Sequence, residues 1–180
     1  MRGTRAGWNR FAGMNQIASR PDSTGSVLKW ALLAVPVVVV IGLFSGWASG
    51  SGGDGAWFSA LVKPSIYPPA FLFGIVWTIL YVLMGFALAF VLAAPKTAFR
   101  RFALGIFAVQ LSVNALWSPI FFSAHLIGFA FFWIVLLIIL VIATMAYFAR
   151  VSRTAMLLLV PYLAWICFAA VLNLRFWQLN

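Results

Sequence analysis

The chain has 180 residues, of which 65% are hydrophobic, 17% aromatic and only 8% charged. A soluble domain is nearer half apolar and a quarter charged, so the composition excludes one and marks an integral membrane protein of one bundle domain. The formal charge of +10 does not point to nucleic acid, because the basic residues fall in the N-terminal tail and at the ends of apolar runs rather than along one helical face.

Residues 1–27 carry Arg2, Arg5, Arg10 and Arg20 against the single acid Asp22, with scattered Gly and Ser. Such a segment cannot bury a core and is expected to be a disordered basic tail. Arg-rich, acid-poor makeup is also that of a transit peptide, and Met1 and Met14 are alternative starts. Five apolar runs follow, at 28–48, 69–94, 100–122, 125–149 and 154–175. Each is about 20 residues or longer, enough to cross a hydrocarbon core as a helix. Period-two alternation is absent, so they are not barrel strands. The expected fold is all-α, a five-transmembrane-helix bundle over 28–180.

The later connections, APKTAF, SAH and RVSR, are short and make successive helices antiparallel neighbours. Only the first connection, 49–68, is long, and it holds Trp57, Lys63-Pro64 and the pair Pro68-Pro69. Proline fixes φ and removes a backbone donor, and it pushes the residue before it towards an extended conformation. The segment therefore reads as an ordered, non-helical cap that leads into the second span, with Trp77 and Tyr81 one turn apart on one face. A plainer reading also covers this stretch: prolines that start a helix and tryptophans at the membrane interface.

The tail arginines, Lys29, Lys96, Arg100, Arg101, Arg150 and Arg153 fall on one side of a five-span bundle; Lys63, Arg175, Asp54 and His125 fall on the other. By the positive-inside tendency the N-terminus is cytosolic, and loop 49–68 and the C-terminus are outside.

The chemical inventory is sparse. The two acids, Asp22 and Asp54, lie outside the spans and furnish no membrane-embedded carboxylate pair or proton relay. His125 and Cys167 have no ligand-forming neighbours at metal spacing, and no glycine-rich phosphate loop exists. No catalytic residue, metal site or obligatory cofactor is expected. No internal repeat is visible, and five spans do not split into equal halves, which weakens an inverted-repeat transporter.

Polar and aromatic groups inside the spans remain. Gln110, Asn114 and Trp117 share one face of the third span, and Tyr162, Trp165, Phe168 and Asn173 form a stripe on the fifth. Taken one stripe at a time, amide hydrogen bonding and aromatic packing account for them. Their depths coincide, however. Trp77 and Asn114 lie roughly 12 Å, and Trp165 roughly 15 Å, from the span ends nearest the proline-rich loop. Packing does not require that convergence; a capped apolar pocket with a few amides does.

Four stretches carry a resemblance: WFSALVKPSIYPP from Trp57, WTILY from Trp77, NALWSPIFF from Asn114 and PYLAWICFAAVLN from Pro161. In this order they resemble the successive signatures of the TspO/translocator protein family, over about 57–175. The resemblance implies a five-helix bundle, often dimeric, that binds tetrapyrroles such as protoporphyrin IX and haem, and synthetic aromatic ligands. Residue by residue, Trp57 and Pro68-Pro69 match the family's loop, and Trp77 and Trp165 its ligand-facing tryptophans. Gln110 falls at a pocket-lining amide position, while Asn114, Trp117 and Pro119 match the third-span motif. Phe58 and Tyr67 depart from the loop pattern, and Leu174 before Arg175 breaks the animal sterol motif, so sterol binding is not inferred.

The expectation is a binding protein in which a macrocycle stacks on Trp77 and Trp165 under the loop, within a wall that includes Tyr81, Trp117, Phe168 and Asn173. Gln110 and Asn114 would give polar contacts, and Lys63 would meet a propionate. Two alternatives stand beside it: light- and oxygen-dependent porphyrin degradation, which the family resemblance allows, and small-molecule transport. Gly42/Gly46 and Ala108/Ser112 are small-xxx-small pairs that suit either a homodimer seam or packing within one bundle.

Overall fold

A computed structural model describes residues 23–51 and 55–180; residues 1–22 of the tail expected over 1–27, and the acid Asp54, lie outside the described residues. The helices are α1 (Ser23–Ala48), α2 (Ala56–Ala60), α3 (Ala70–Ala93) and α4 (Ala98–Ser118), which runs into a π-helical turn at Pro119–Ser123, then α5 (Ile127–Val151), α6 (Arg153–Leu158) and α7 (Val160–Leu179). No strand occurs among the described residues. Five stretches are long and apolar enough to cross a membrane: Gly25–Ala48, Ala70–Ala93, Ala98–Ser123, Ile127–Val151 and Arg153–Leu179.

Two local expectations are corrected. Residues 23–27 are not tail but the first turn of α1, since nothing there stops a helix except Gly25, whose cost of about 1 kcal/mol the following apolar run outweighs. The cap is not wholly non-helical either. Residues 56–60 lack proline and form α2, and the Lys63 ammonium closes its C-terminal end by donating to the carbonyls of Phe58 and Leu61.

Proline sets the breaks that shape the bundle. Pro119 has no N–H, so the Ala115 carbonyl one turn earlier loses its helical donor. The Ser45 hydroxyl of α1 donates to that carbonyl instead. From α5, Trp133 Nε1 donates to the carbonyl of Val113 at 2.8 Å. The end of α4 is thus fastened to two neighbours. Pro161 acts similarly at the α6–α7 junction, where the chain turns at Leu159 and resumes as α7.

Helix α1 lies close along α3 because small residues line the seam: Ala31, Ala34 and Ala89 are buried there. A Cβ on Gly85 would come within 2.5 Å of Val35 Cα, and one on Gly42 would run into the Tyr81 ring. The Gly42 position of the first small-xxx-small pair therefore serves packing within the bundle. Helix α5 packs on both α4 and α7, whereas α3 and α7 touch only sparsely. Between these helices the bundle leaves a hollow.

Candidate functional site: a capped aromatic cavity

The hollow measures about 710 Å³ and is walled by α1, α3, α4, α5 and α7 under the α2 segment. Its floor is a chain of polar side chains. The Tyr81 hydroxyl donates to Asn114 Oδ1 at 3.2 Å, Asn114 Nδ2 donates to the Tyr162 hydroxyl at 3.0 Å, and that hydroxyl donates to Gln110 Oε1 at 3.2 Å. These groups come from α3, α4 and α7, and each finds a partner, as burial in an apolar bundle demands.

Above the floor the walls are aromatic. Trp77 stacks on Tyr81 at 5.4 Å between ring centroids and meets Tyr162 edge-on. Trp165 lies against Phe73 at 5.9 Å and Phe168 at 5.3 Å, and Trp117 stacks on Phe121 at 5.1 Å. Three buried polar atoms on these wall residues have no hydrogen-bond partner: Trp117 Nε1, Trp165 Nε1 and Asn173 Oδ1. Asn173 spends its amide donor on the carbonyl of Ile127 at 3.1 Å.

The cap closes the end. Phe58 of α2 packs against Phe121, Phe122 and Phe176, and Tyr67 stands edge-on to Phe176 at 5.8 Å. Asn180 clasps the same segment: its Oδ1 accepts from Val62 N at 2.8 Å, and its Nδ2 donates to the carbonyls of Val62 and Phe176. Burial raises the Tyr67 phenol above its ordinary pKa, and desolvation lowers the Lys63 ammonium below its own.

Of the residues singled out in the sequence, Trp77, Tyr81, Asn114, Trp117, Trp165 and Asn173 line the cavity. The others are placed differently. Trp57 stacks on His125 at 4.0 Å on the rim of the cap, and Lys63 lies over the Phe58 ring and caps α2 rather than reaching inward. Pro68 and Pro69 lead into α3 as its start signal, and Gln110 sits beneath Tyr162 as support. Phe168 faces a separate shallow apolar depression of about 430 Å³ between α3 and α7, where Trp165 forms the partition between depression and cavity. The sequence reading did not assign to the site Phe58, Tyr67, Phe73, Phe121, Phe176 or the α1 residues Gly42, Gly46 and Trp47. Of these, the sequence distinguishes Phe58 and Tyr67 only as departures from the family's loop pattern, and Gly42 and Gly46 only as a small-residue pair. Among the described residues no group of three His, Cys, Asp or Glu side chains comes together to hold a metal.

A five-helix membrane bundle with an aromatic cavity under a loop cap is the class of protein that fold and site define. The TspO/MBR family profile matches residues 34–178, and the chain belongs to that family. It is 47% identical over 125 residues to the tryptophan-rich protein TspO of Chlorobaculum tepidum, covering 69% of this chain and 79% of that one. It is 40% identical over 127 residues to protein CrtK of Rhodobacter capsulatus (70% and 79% covered). Similarity to the translocator protein of Ovis aries is 39% over 132 residues (71% and 78% covered). Membership supports a tetrapyrrole-related receptor or transporter role at the membrane in general terms.

Proposed function

We propose that this protein is a membrane receptor that binds tetrapyrroles, protoporphyrin IX and haem foremost, and similar flat aromatic ligands, in tetrapyrrole or stress sensing, handling or transport. The observation that carries this reading is the cavity itself. Its volume of about 710 Å³ falls within the range of roughly 300–1,000 Å³ typical of small-molecule sites, and its walls are aromatic with a few amides and hydroxyls. A macrocycle would lie between Trp77 and Trp165. The unpartnered indole donors of Trp117 and Trp165 and the free Asn173 oxygen are the groups available to its polar atoms.

Among the described lining residues none is His, Cys, Lys, Arg or an acid, so they offer no acid–base pair for turnover. Binding is the function that follows. Titrating the purified protein with protoporphyrin IX, haem and an open-chain tetrapyrrole, read by tryptophan quenching, tests it. Saturable binding of the macrocycles supports the reading; no saturable binding by any member of the panel contradicts it.

Two further readings go with this one. The basic residues Lys96, Arg100, Arg101, Arg150 and Arg153 favour a cytosolic N-terminus, with the cap and C-terminus outside. Cysteines placed at Ser51 and Thr97 report this: labelling of position 97 but not 51 from outside reverses the orientation. A homodimer would use α4, where Ala108 and Ser112 are exposed, since Gly42 is taken up by Tyr81. Ala108→Leu should then lower the detergent-solubilised mass to that of one chain.

A further inference from the structure

The cavity is not equally closed on all sides. At the capped end of α7 the wall is closed, with Asn173 at 2% and Phe176 at 3% relative exposure. On the opposite side, residues that line it are also open to the surroundings: Trp47 of α1 is 78% exposed and Phe71 of α3 is 66% exposed. Leu43, Ala70 and Gly74 complete this rim, and all three are exposed as well. Around Gly74 there is open space, with nothing within 4 Å of where a Cβ would stand. Below the rim the two helices meet at the contact of Gly42 with the Tyr81 ring, which forms the lower lip.

The rim is therefore an opening between the capped ends of α1 and α3, above their close seam, and the side chains named on it are apolar. Leu43 lies five residues before the end of α1 and Gly74 four residues after the start of α3. At about 1.5 Å rise per residue, the gap reaches roughly 6–8 Å below the helix ends, which is the depth of lipid and not of water. The aqueous end is held shut in contrast by the Asn180–Val62 clasp and the packing of Phe58 and Tyr67 on Phe176.

We propose that the cavity loads sideways, between α1 and α3, from ligand dissolved in the capped half of the bilayer, and that the cap over the aqueous end does not lift during exchange. The occupant of the gap is a flat, apolar, membrane-partitioning molecule, so the proposal rests on the tetrapyrrole reading above. The apolar rim residues suit the macrocycle, which gives up little hydration as it passes from lipid to cavity, while the propionates stay towards the helix ends. Gly74 matters because any larger side chain would stand in the doorway.

Stopped-flow exchange of protoporphyrin IX on the full chain in lipid nanodiscs tests this. Saturable equilibrium binding by the unaltered protein is the first reading; its absence removes the tetrapyrrole function and is distinct from the outcome that concerns the route. The rates are then compared in Gly74→Phe, Phe71→Ala and Asn180→Ala. A side chain in the doorway slows passage in both directions, so Gly74→Phe should lower association and dissociation rates together, by about tenfold. Phe71→Ala, which widens the rim, should raise both, and Asn180→Ala should change neither. A side chain that merely shrank the cavity would speed dissociation. Faster or unchanged dissociation in Gly74→Phe, or faster exchange in Asn180→Ala, overturns the proposal; Phe71→Ala decides if Gly74→Phe does not fold, with unchanged rates overturning it.

Discussion

Asn114 Nδ2 stands 3.0 Å from the hydroxyl of Tyr162, and through this bond α4 is joined to α7 at the floor of the cavity. The same amide accepts from Tyr81 on α3, so one side chain ties three helices together. Asn114→Leu removes both bonds, leaving the buried Tyr81 hydroxyl without its acceptor while Tyr162 keeps its bond to Gln110. Unpaired buried groups cost about 1–3 kcal/mol in water-soluble cores, but membrane pairs average about 0.6 kcal/mol because alternative partners exist. The expected outcome is a loss of about 1–2 kcal/mol, read as a lower unfolding midpoint in detergent. An unchanged midpoint would mean that the network is not what holds the floor.

Gly42→Leu should destabilise each chain rather than separate two chains. The new side chain would collide with the Tyr81 ring, and overpacking of this kind costs about 1–3 kcal/mol. Thermal unfolding together with the mass of the solubilised particle checks this. A drop in mass with unaltered stability would return Gly42 to a dimer seam.

Trp133 provides a separate test of packing against binding. Its indole N–H bonds to the Val113 carbonyl, and it is not among the lining residues. Trp133→Phe should cost about 1 kcal/mol of stability for the lost hydrogen bond and leave porphyrin affinity within about twofold. Weakened binding by tenfold or more would place Trp133 itself in the cavity wall.

The cap should depend on Phe176, which touches Phe58, Tyr67 and Phe121 at once. Truncating a buried aromatic to Ala costs about 3–5 kcal/mol. Phe176→Ala should therefore expose the 56–68 segment to limited proteolysis while the spans stay protected by lipid. Wild-type resistance of that segment would show the cap to be held from elsewhere.

The spans were legible because the bilayer imposes a minimum length on any apolar helix, and five runs met it. Their ends were less so. Helix α4 starts at Ala98 because Thr97 Oγ1 accepts from Arg100 N, a capping signal that the two arginines masked. Helix α7 continues past Arg175, whose guanidinium turns along the helix to Gln178 instead of ending it. Within the site, Trp77, Asn114 and Trp165 could be found because helical spacing and depth fix where a residue on a straight span lies. The cap could not. Contact of Phe58 with Phe176, or of Val62 with Asn180, depends on how a loop folds back over helix ends, and no periodicity in the chain encodes that. Gly42 shows the same limit: its small size signals a close approach without naming the partner, here Tyr81.

The central claim is that Trp77 and Trp165 form the binding wall, and equilibrium titration of three purified variants with protoporphyrin IX tests it most directly. Stacking on an aromatic face is worth about 1–3 kcal/mol by analogy with nucleobases, or roughly ten- to a hundredfold in affinity. Trp77→Phe and Trp165→Phe keep a large apolar ring and should fold, yet bind about tenfold more weakly, while Trp133→Phe binds as the unaltered protein does. Equal affinities in all three variants would contradict the account and make the two tryptophans packing residues.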